Sequence, residues 1–179
     1  MEGFMRKVFV SLLAISFFIL TLSGCTESVK PLQPYFTSDC VVSNAGTKLE
    51  MKLCSSYNDN IIATVSKGEV LSGLEFQKNN STLYLRYNDL ECIASEDYLP
   101  YFCGVDVLFD TLSCCQNNTV SYSSTQGKYD VYIAKLECCD CKIYADSDSG
   151  KIVKILPKLY KVSITFDNVK IQKKAPATQ

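Results

Sequence analysis

The chain contains no histidine and no tryptophan in 179 residues. Without histidine there is no Ser-His-Asp triad, no Cys-His dyad, no imidazole-ligated zinc and no HExxH helix. Net charge is nearly absent as well. The 18 Lys and Arg against 19 Asp and Glu leave a formal −1, which gives no global reason to expect a nucleic-acid partner. Internal repeats, low-complexity tracts, a Gly-rich phosphate loop and a nucleophile elbow are all missing. What remains is ordinary globular material of one-domain size, 47% hydrophobic and 21% charged, with one residue in excess: ten cysteines.

The longest uncharged apolar run is short. Val8 to Leu22 gives 15 residues behind the basic pair Arg6 and Lys7. That suits a signal-peptide core better than a membrane span of ~20 residues. It ends in Leu22-Ser23-Gly24-Cys25, which resembles the lipobox of prokaryotic lipoproteins. The resemblance implies cleavage between Gly24 and Cys25 and a lipidated Cys25 as the mature N-terminus. Acyl chains contribute ~0.8 kcal/mol per buried CH₂, so two or three of them anchor durably. Thr26 rather than Asp follows, so by the same resemblance there is no inner-membrane retention signal. An ordinary secretory signal and an uncleaved anchor helix are the competing readings. The expected organisation is a signal peptide over 1–24, a lipidated N-terminus and tether over 25–38 containing Pro31 and Pro34, and one extracytoplasmic domain over 39–179.

Apart from Cys25, nine cysteines remain: Cys40, Cys54, Cys92, Cys103, Cys114, Cys115, Cys138, Cys139 and Cys141. An exported chain with this many is expected to form disulfides, and an odd number leaves one over. Cys114-Cys115 and Cys138-Cys139-Asp140-Cys141 concentrate five thiols in two short stretches. The alternative reading is a thiolate metal or redox site there, favouring Cu(I), Zn or an iron–sulfur cluster. No paired C-x₂-C…C-x₂-C supports it, since Cys138 and Cys141 alone have that spacing, and adjacent strand residues face opposite ways.

Elsewhere the period is two. Leu49, Met51 and Leu53 alternate with lysines and Glu50. Leu83, Leu85 and Tyr87 share a face, as do Tyr160, Val162, Ile164 and Phe166. Tyr129, Val131 and Ile133 alternate with Asp130, Tyr132 and Ala134. One segment differs: Val105, Leu108, Phe109 and Leu112 fall at helical spacing, which suggests a helix over about 104–114 with Asp106 in its first turn, and a strand through Val105, Val107 and Phe109 is the competing reading. Six to nine short strands and at most one or two short helices make the fold mainly β. The expected form is an antiparallel β-sandwich, or α+β with an antiparallel sheet.

Asp146-Ser-Asp-Ser-Gly150 has the residues of a hairpin turn, not the spacing of a calcium loop. Lys128–Ile133 and Cys141–Ile155 around it resemble the closing strands of PepSY-type domains, a likeness over about 128–156 that implies a non-catalytic module restraining another exported protein. Asn79, Asn80 and Asn117 head N-glycosylation sequons and mark surface loops in a glycosylating host. Asp106/Asp110 and Asp146/Asp148 are the carboxylate pairs available for acid–base work, at a spacing common on solvated surfaces. Residues 151–179 carry seven lysines and one aspartate, which reads as a solvent face of strands beside an acidic segment. The expectation is therefore a non-enzymatic, lipid-anchored protein outside the cytoplasm, at the cell or outer membrane. Its role would be to bind or scaffold, with the membrane and another envelope protein as partners.

Overall fold

The computed structural model describes residues 29–57, 60–67, 71–79, 82–94, 104–158 and 161–172. The lipobox with Gly24 and Cys25, as well as Cys103, Asn80 and Tyr160, lies outside these residues. Among the described residues eleven strands and one helix follow in order. They are β1 (Phe36–Asn44), β2 (Thr47–Ser56), β3 (Asn60–Val65), β4 (Glu75–Asn79), β5 (Thr82–Tyr87), β6 (Leu90–Ala94), α1 (Val105–Gln116), β7 (Ser121–Gln126), β8 (Tyr129–Lys135), β9 (Asp140–Asp146), β10 (Ile152–Pro157) and β11 (Val162–Ile171).

All eleven strands form one antiparallel sheet in the order β6-β5-β4-β3-β2-β1-β11-β10-β9-β8-β7. The first six strands walk outward to one edge by successive hairpins. The chain then crosses to the opposite edge through α1 and walks back, so that β11 pairs with β1 at the centre. Of the two architectures expected, the single antiparallel sheet with one helix is the one formed, and the described residues make no second sheet for a sandwich. The strand count exceeds the six to nine expected because the edges carry no alternation to read. Ser121–Gln126 is almost wholly exposed, and the β6 residues Leu90, Cys92 and Ile93 are exposed too.

One face of the sheet carries the core. Phe36, Cys40 and Val42 of β1 are buried with Met51 and Leu53 of β2, Ile61, Ala63 and Val65 of β3, and Val162, Ile164 and Phe166 of β11. Met51, Leu53, Val162, Ile164 and Phe166 belong to period-two sets read from the sequence. In β8 the core takes Tyr132 and Ala134, while Tyr129 and Ile133 are only half-buried. The partner strand decides this. Tyr132 stands opposite Ile143 and Ala134 opposite Cys141, both fully buried on β9, and residues directly paired across two strands share a face.

The helix lies against this face. Val105, Val107, Leu108, Phe109, Thr111, Leu112, Cys115 and Gln116 are buried, an arc far wider than the four apolar positions predicted. Burying one such Leu or Phe side chain contributes ~1.5–3 kcal/mol, so the helix is held by packing rather than by its own propensity. Its start is set by Gly104, which has φ +70 and sits against β1 and β11. A Cβ there would lie 2.8 Å from Val42 Cγ1 and 2.9 Å from Val162 Cγ1. Its far end is tied to β2: Gln116 Nε2 donates to Ser55 Oγ at 2.9 Å and to the Ser56 carbonyl at 3.1 Å.

The described part of the expected tether is bonded to the fold. Ser55 Oγ donates to the Pro34 carbonyl at 2.6 Å, Gln33 N donates to the Gly150 carbonyl at 3.0 Å, and Tyr132 Oη donates to the Lys30 carbonyl at 2.8 Å. The pairing strand β1 already begins at Phe36, ahead of the expected domain boundary at 39. Gly150 is needed for this docking: its φ is +70, and a Cβ would meet the Pro31 carbonyl oxygen at 2.3 Å.

Candidate functional site

An α-helix surrounded by a sheet buries all but one stripe. In α1 that stripe is Asp106, Asp110, Ser113 and Cys114, which are only half-buried. Successive members are three or four residues apart or adjacent, so they share one side of the helix. Along this side runs a groove of about 380 Å³. The helix forms its floor through Asp106, Phe109, Asp110, Ser113 and Cys114. Lys78 of β4 and Leu83 of β5 form one wall. Lys135, Leu136, Glu137 and Cys138, at the end of β8 and in the following loop, form the other. Asn117 and Thr119 close the end beyond the helix. The loop wall is shaped by a backbone bond from Leu136 N to the Cys139 carbonyl, 3.0 Å.

The electrostatics of the groove are mixed. The Lys78 side chain is 13% exposed and its ammonium is ion-paired with Asp110. Burial holds the Asp106 carboxyl above the ordinary carboxylate value, with like-charged Asp110 adding to the shift and a backbone bond from Val107 opposing it. One Asp106 oxygen is buried without a hydrogen-bond partner. Leu83, Phe109 and Leu136 supply apolar surface between these charges. A cavity of a few hundred Å³ with apolar lining and a few polar groups is the usual form of a small-ligand site.

The five clustered thiols converge here. Cys114 and Cys138 line the groove, and Cys115 and Cys141 are buried behind it. Cys139 Sγ lies 3.7 Å from Cys138 Sγ and 3.9 Å from Cys141 Sγ. Burial pushes the Cys138 and Cys139 thiols up to about 11, the Cys115 thiol higher still, and the Cys141 thiol upward. Cys40, on β1, is pushed to about 12 by burial alone. Among the described residues no disulfide is closed, and no three Cys, Asp or Glu side chains are grouped to hold a metal ion. The thiolate-metal alternative with Cu(I), Zn or an iron–sulfur cluster therefore finds no ligand set among them.

The other sequence candidates separate. Asp106 and Asp110 do share the groove floor. Asp146 and Asp148 sit in the β9–β10 turn, where Asp146 Oδ1 accepts from Ser149 N at 2.9 Å and from Ser149 Oγ at 2.6 Å. Those bonds lower the Asp146 carboxyl below its ordinary value. They give it a turn-forming role at the opposite end of β9 from the groove, ~20 Å away at ~3.4 Å per residue. Asn79 ends β4, and Asn117 caps α1 at an exposed position on the groove rim. Cys54 and Cys92 lie away from the cluster, on β2 and β6. Lys78, Leu83, Lys135 and Leu136 had no sequence signal as site residues, because only the crossing of α1 brings the two halves of the sheet to one groove.

No family model matches the chain, and no curated relative matches it. Solved structures are similar in chain path. One is an uncharacterized conserved protein from Thermus thermophilus, with a TM-score of 0.49 and 5% identity over 78% of this chain and 80% of that one. Another is a LolA superfamily protein from Nitrosomonas europaea, with a TM-score of 0.43 and 9% identity over 79% of this chain and 87% of that one. Both likenesses stand at identities too low to transfer the role of any residue.

Proposed function

We propose that the chain is a non-enzymatic, lipid-anchored binding protein outside the cytoplasm that holds a small amphiphilic ligand in the groove beside α1. The groove itself carries this reading. Its apolar surface, from Leu83, Phe109 and Leu136, suits a hydrocarbon body, and Lys135, Glu137 and Asn117 toward the loop and helix end suit a polar head. The absence of histidine removes the commonest general base, which favours binding over catalysis. The anchor half of the reading rests on Leu22-Ser23-Gly24-Cys25. It gains a geometric consequence from the docked segment. Only residues 26–28 separate Cys25 from Val29, so the described body starts within roughly 14 Å of the lipidated residue, at ~3.5 Å per residue.

The test uses N-phenyl-1-naphthylamine, a neutral apolar probe that fluoresces when it leaves water. The full chain in mild detergent is expected to bind it saturably, and Leu136→Glu is expected to weaken binding at least tenfold while the fold is retained by circular dichroism. Unchanged binding in Leu136→Glu would remove the groove as the site. The anchor is tested separately: [³H]palmitate should label the wild type and not Cys25→Ser. An unlabelled wild type with Cys25→Ser still in the membrane would overturn the anchor alone.

A further inference from the structure

The fold sorts the cysteines by face and by reach. Cys40 points into the core from β1, in line with Phe36 and Val42, whereas Cys54 on β2 points the other way, since Met51, Leu53 and Ser55 are the inward set. Cys92 is on the edge strand β6, five strands from β1, which is ~24 Å at ~4.8 Å per strand. A disulfide needs Cα atoms ~4.4–6.8 Å apart and side chains that point toward each other. None of these three meets that condition with another of them.

The entry to β9 differs. Cys139 lies in the loop just ahead of Asp140, the first residue of the strand, and Cys141 is the second. Both face the core, at 7% and 0% exposure, as residues two apart on one strand do. Their sulfurs are 3.9 Å apart. Two residues of chain span at most ~7 Å, at ~3.5 Å per residue, and any departure from full extension brings the Cα atoms inside the bonding range. Cys138 also touches Cys139, sulfur to sulfur at 3.7 Å, but adjacent Cα atoms are held ~3.8 Å apart, short of that range. The backbone around the inward pair is already fixed. Leu136 N donates to the Cys139 carbonyl at 3.0 Å, and Lys158 N donates to the Asp140 carbonyl at 2.8 Å. The β8–β9 ladder runs from Asp140 onward, so Cys139 can turn toward Cys141 without breaking one of its pairs.

We propose that Cys139 and Cys141 are a disulfide site, which closes a small ring behind the groove and leaves Cys138 as the thiol of the groove wall. The co-reactant is a disulfide of the oxidising compartment, either a small molecule or an exchange protein. One cysteine thiolate attacks its S–S bond, forming a mixed disulfide and releasing one thiol. The second cysteine attacks the mixed disulfide and releases the other. One S–S bond breaks and one forms, two cysteine thiols are oxidised, and the incoming disulfide leaves as two thiols carrying the two protons. The thiolate is the nucleophile, and burial raises both thiols, so the exchange belongs to folding, before the core closes over them. The finished bond leaves two fewer weak donors and two fewer ionisable groups in the core. It requires export of the chain and is independent of what the groove binds.

The sequence makes the pairing easy to read. Trypsin cuts after Lys135 and Lys142, so Cys138, Cys139 and Cys141 fall in one peptide, Leu136–Lys142. Membranes carrying the full chain are dissolved in SDS with N-ethylmaleimide, which blocks every free thiol whatever its burial, and the chain is digested without reduction for mass spectrometry. The expected peptide carries a single maleimide, placed on Cys138 by fragmentation, and lacks two hydrogens. A maleimide on Cys141 or Cys139 instead would mean that Cys138 is in the bond, and overturns the assignment. So does any link to Tyr87–Lys128, the peptide that holds Cys92, Cys103, Cys114 and Cys115. Three maleimides on Leu136–Lys142 also overturn it. If [³H]palmitate labels Cys25 in that same preparation, the anchor stands and the disulfide alone falls.

Discussion

The two flanks of α1 are opposite in character. Toward β1, β2 and β11 the helix is sealed: Gly104 abuts Val42 and Val162, Leu108 and Leu112 are fully buried, and Gln116 is bonded to Ser55. Toward β4, β5 and the β8–β9 loop it opens on the groove, with Asp106, Asp110, Ser113 and Cys114 along it. The sealed flank is built from contacts that leave no room for change, and the open flank from residues that packing does not require. A helix that only plugged the sheet would need the first flank and could carry anything on the second. Charges, thiols and an ion pair drawn from segments far apart in sequence gather on the open flank.

Substitutions on the sealed flank should therefore cost most. Leu112→Ala removes a fully buried side chain from a site walled by helix and sheet, and a loss of about 2–5 kcal/mol is expected in urea unfolding. Gly104→Ala comes next. The backbone is in the left-handed region, and the new methyl would meet two valine methyls at 2.8 and 2.9 Å. A loss of about 1–3 kcal/mol is expected, partly recovered when Val42 is also cut to Ala. If Gly104→Ala were neutral, the helix start would not be wedged between β1 and β11, and the contrast between the flanks would collapse at that end.

Ser55→Ala is expected in the lower part of that range, about 1–2 kcal/mol, by leaving the Pro34 carbonyl and one Gln116 N–H without their bonds to its hydroxyl. This substitution also probes the docking of the N-terminal segment. Limited proteolysis within residues 29–35 should accelerate in Ser55→Ala and stay slow in wild type. Equal rates would mean that Gln33 and Tyr132 hold the segment without Ser55.

The difference between the flanks also explains what could be read in advance. Val105, Leu108, Phe109 and Leu112 announced the helix, and the lysine-alternating Leu49, Met51 and Leu53 announced β2, because each pattern records one buried face in consecutive residues. The same logic left the inward face of β8 open, where both alternate sets are largely apolar and only the pairing with Ile143 and Cys141 decides. The exposed edges β6 and β7 left no pattern. The groove was half legible. Asp106 and Asp110, as well as the two cysteine stretches, stood out locally. Lys78, Leu83, Lys135 and Leu136 join them only because α1 crosses the sheet from one edge to the other, a fact of topology with no local signature.

The smallest expected effect, and the one that sharpens the comparison most, is that of Asp106→Asn on the open flank. In the unfolded chain this carboxyl ionises near the ordinary value of ~3.9, and in the folded chain burial raises it. Between those two values the folded chain binds more of the proton than the unfolded one, so the stability contributed by this site falls as pH rises through the window. Above the folded value the carboxylate is charged in both states and the penalty is constant. Asparagine carries no charge to desolvate. The variant should therefore exceed wild type by on the order of 0.5 kcal/mol at neutral pH. The margin should shrink as pH falls through the window and stay flat below about pH 4. Thermal unfolding from pH 3 to 8 measures it. The reverse trend, a deficit that grows toward neutral pH, would mean that the ionised carboxylate is held favourably by the helix N-terminus and by Lys78. The open flank would then be an electrostatic structure in its own right, and not merely the side of the helix that packing leaves free.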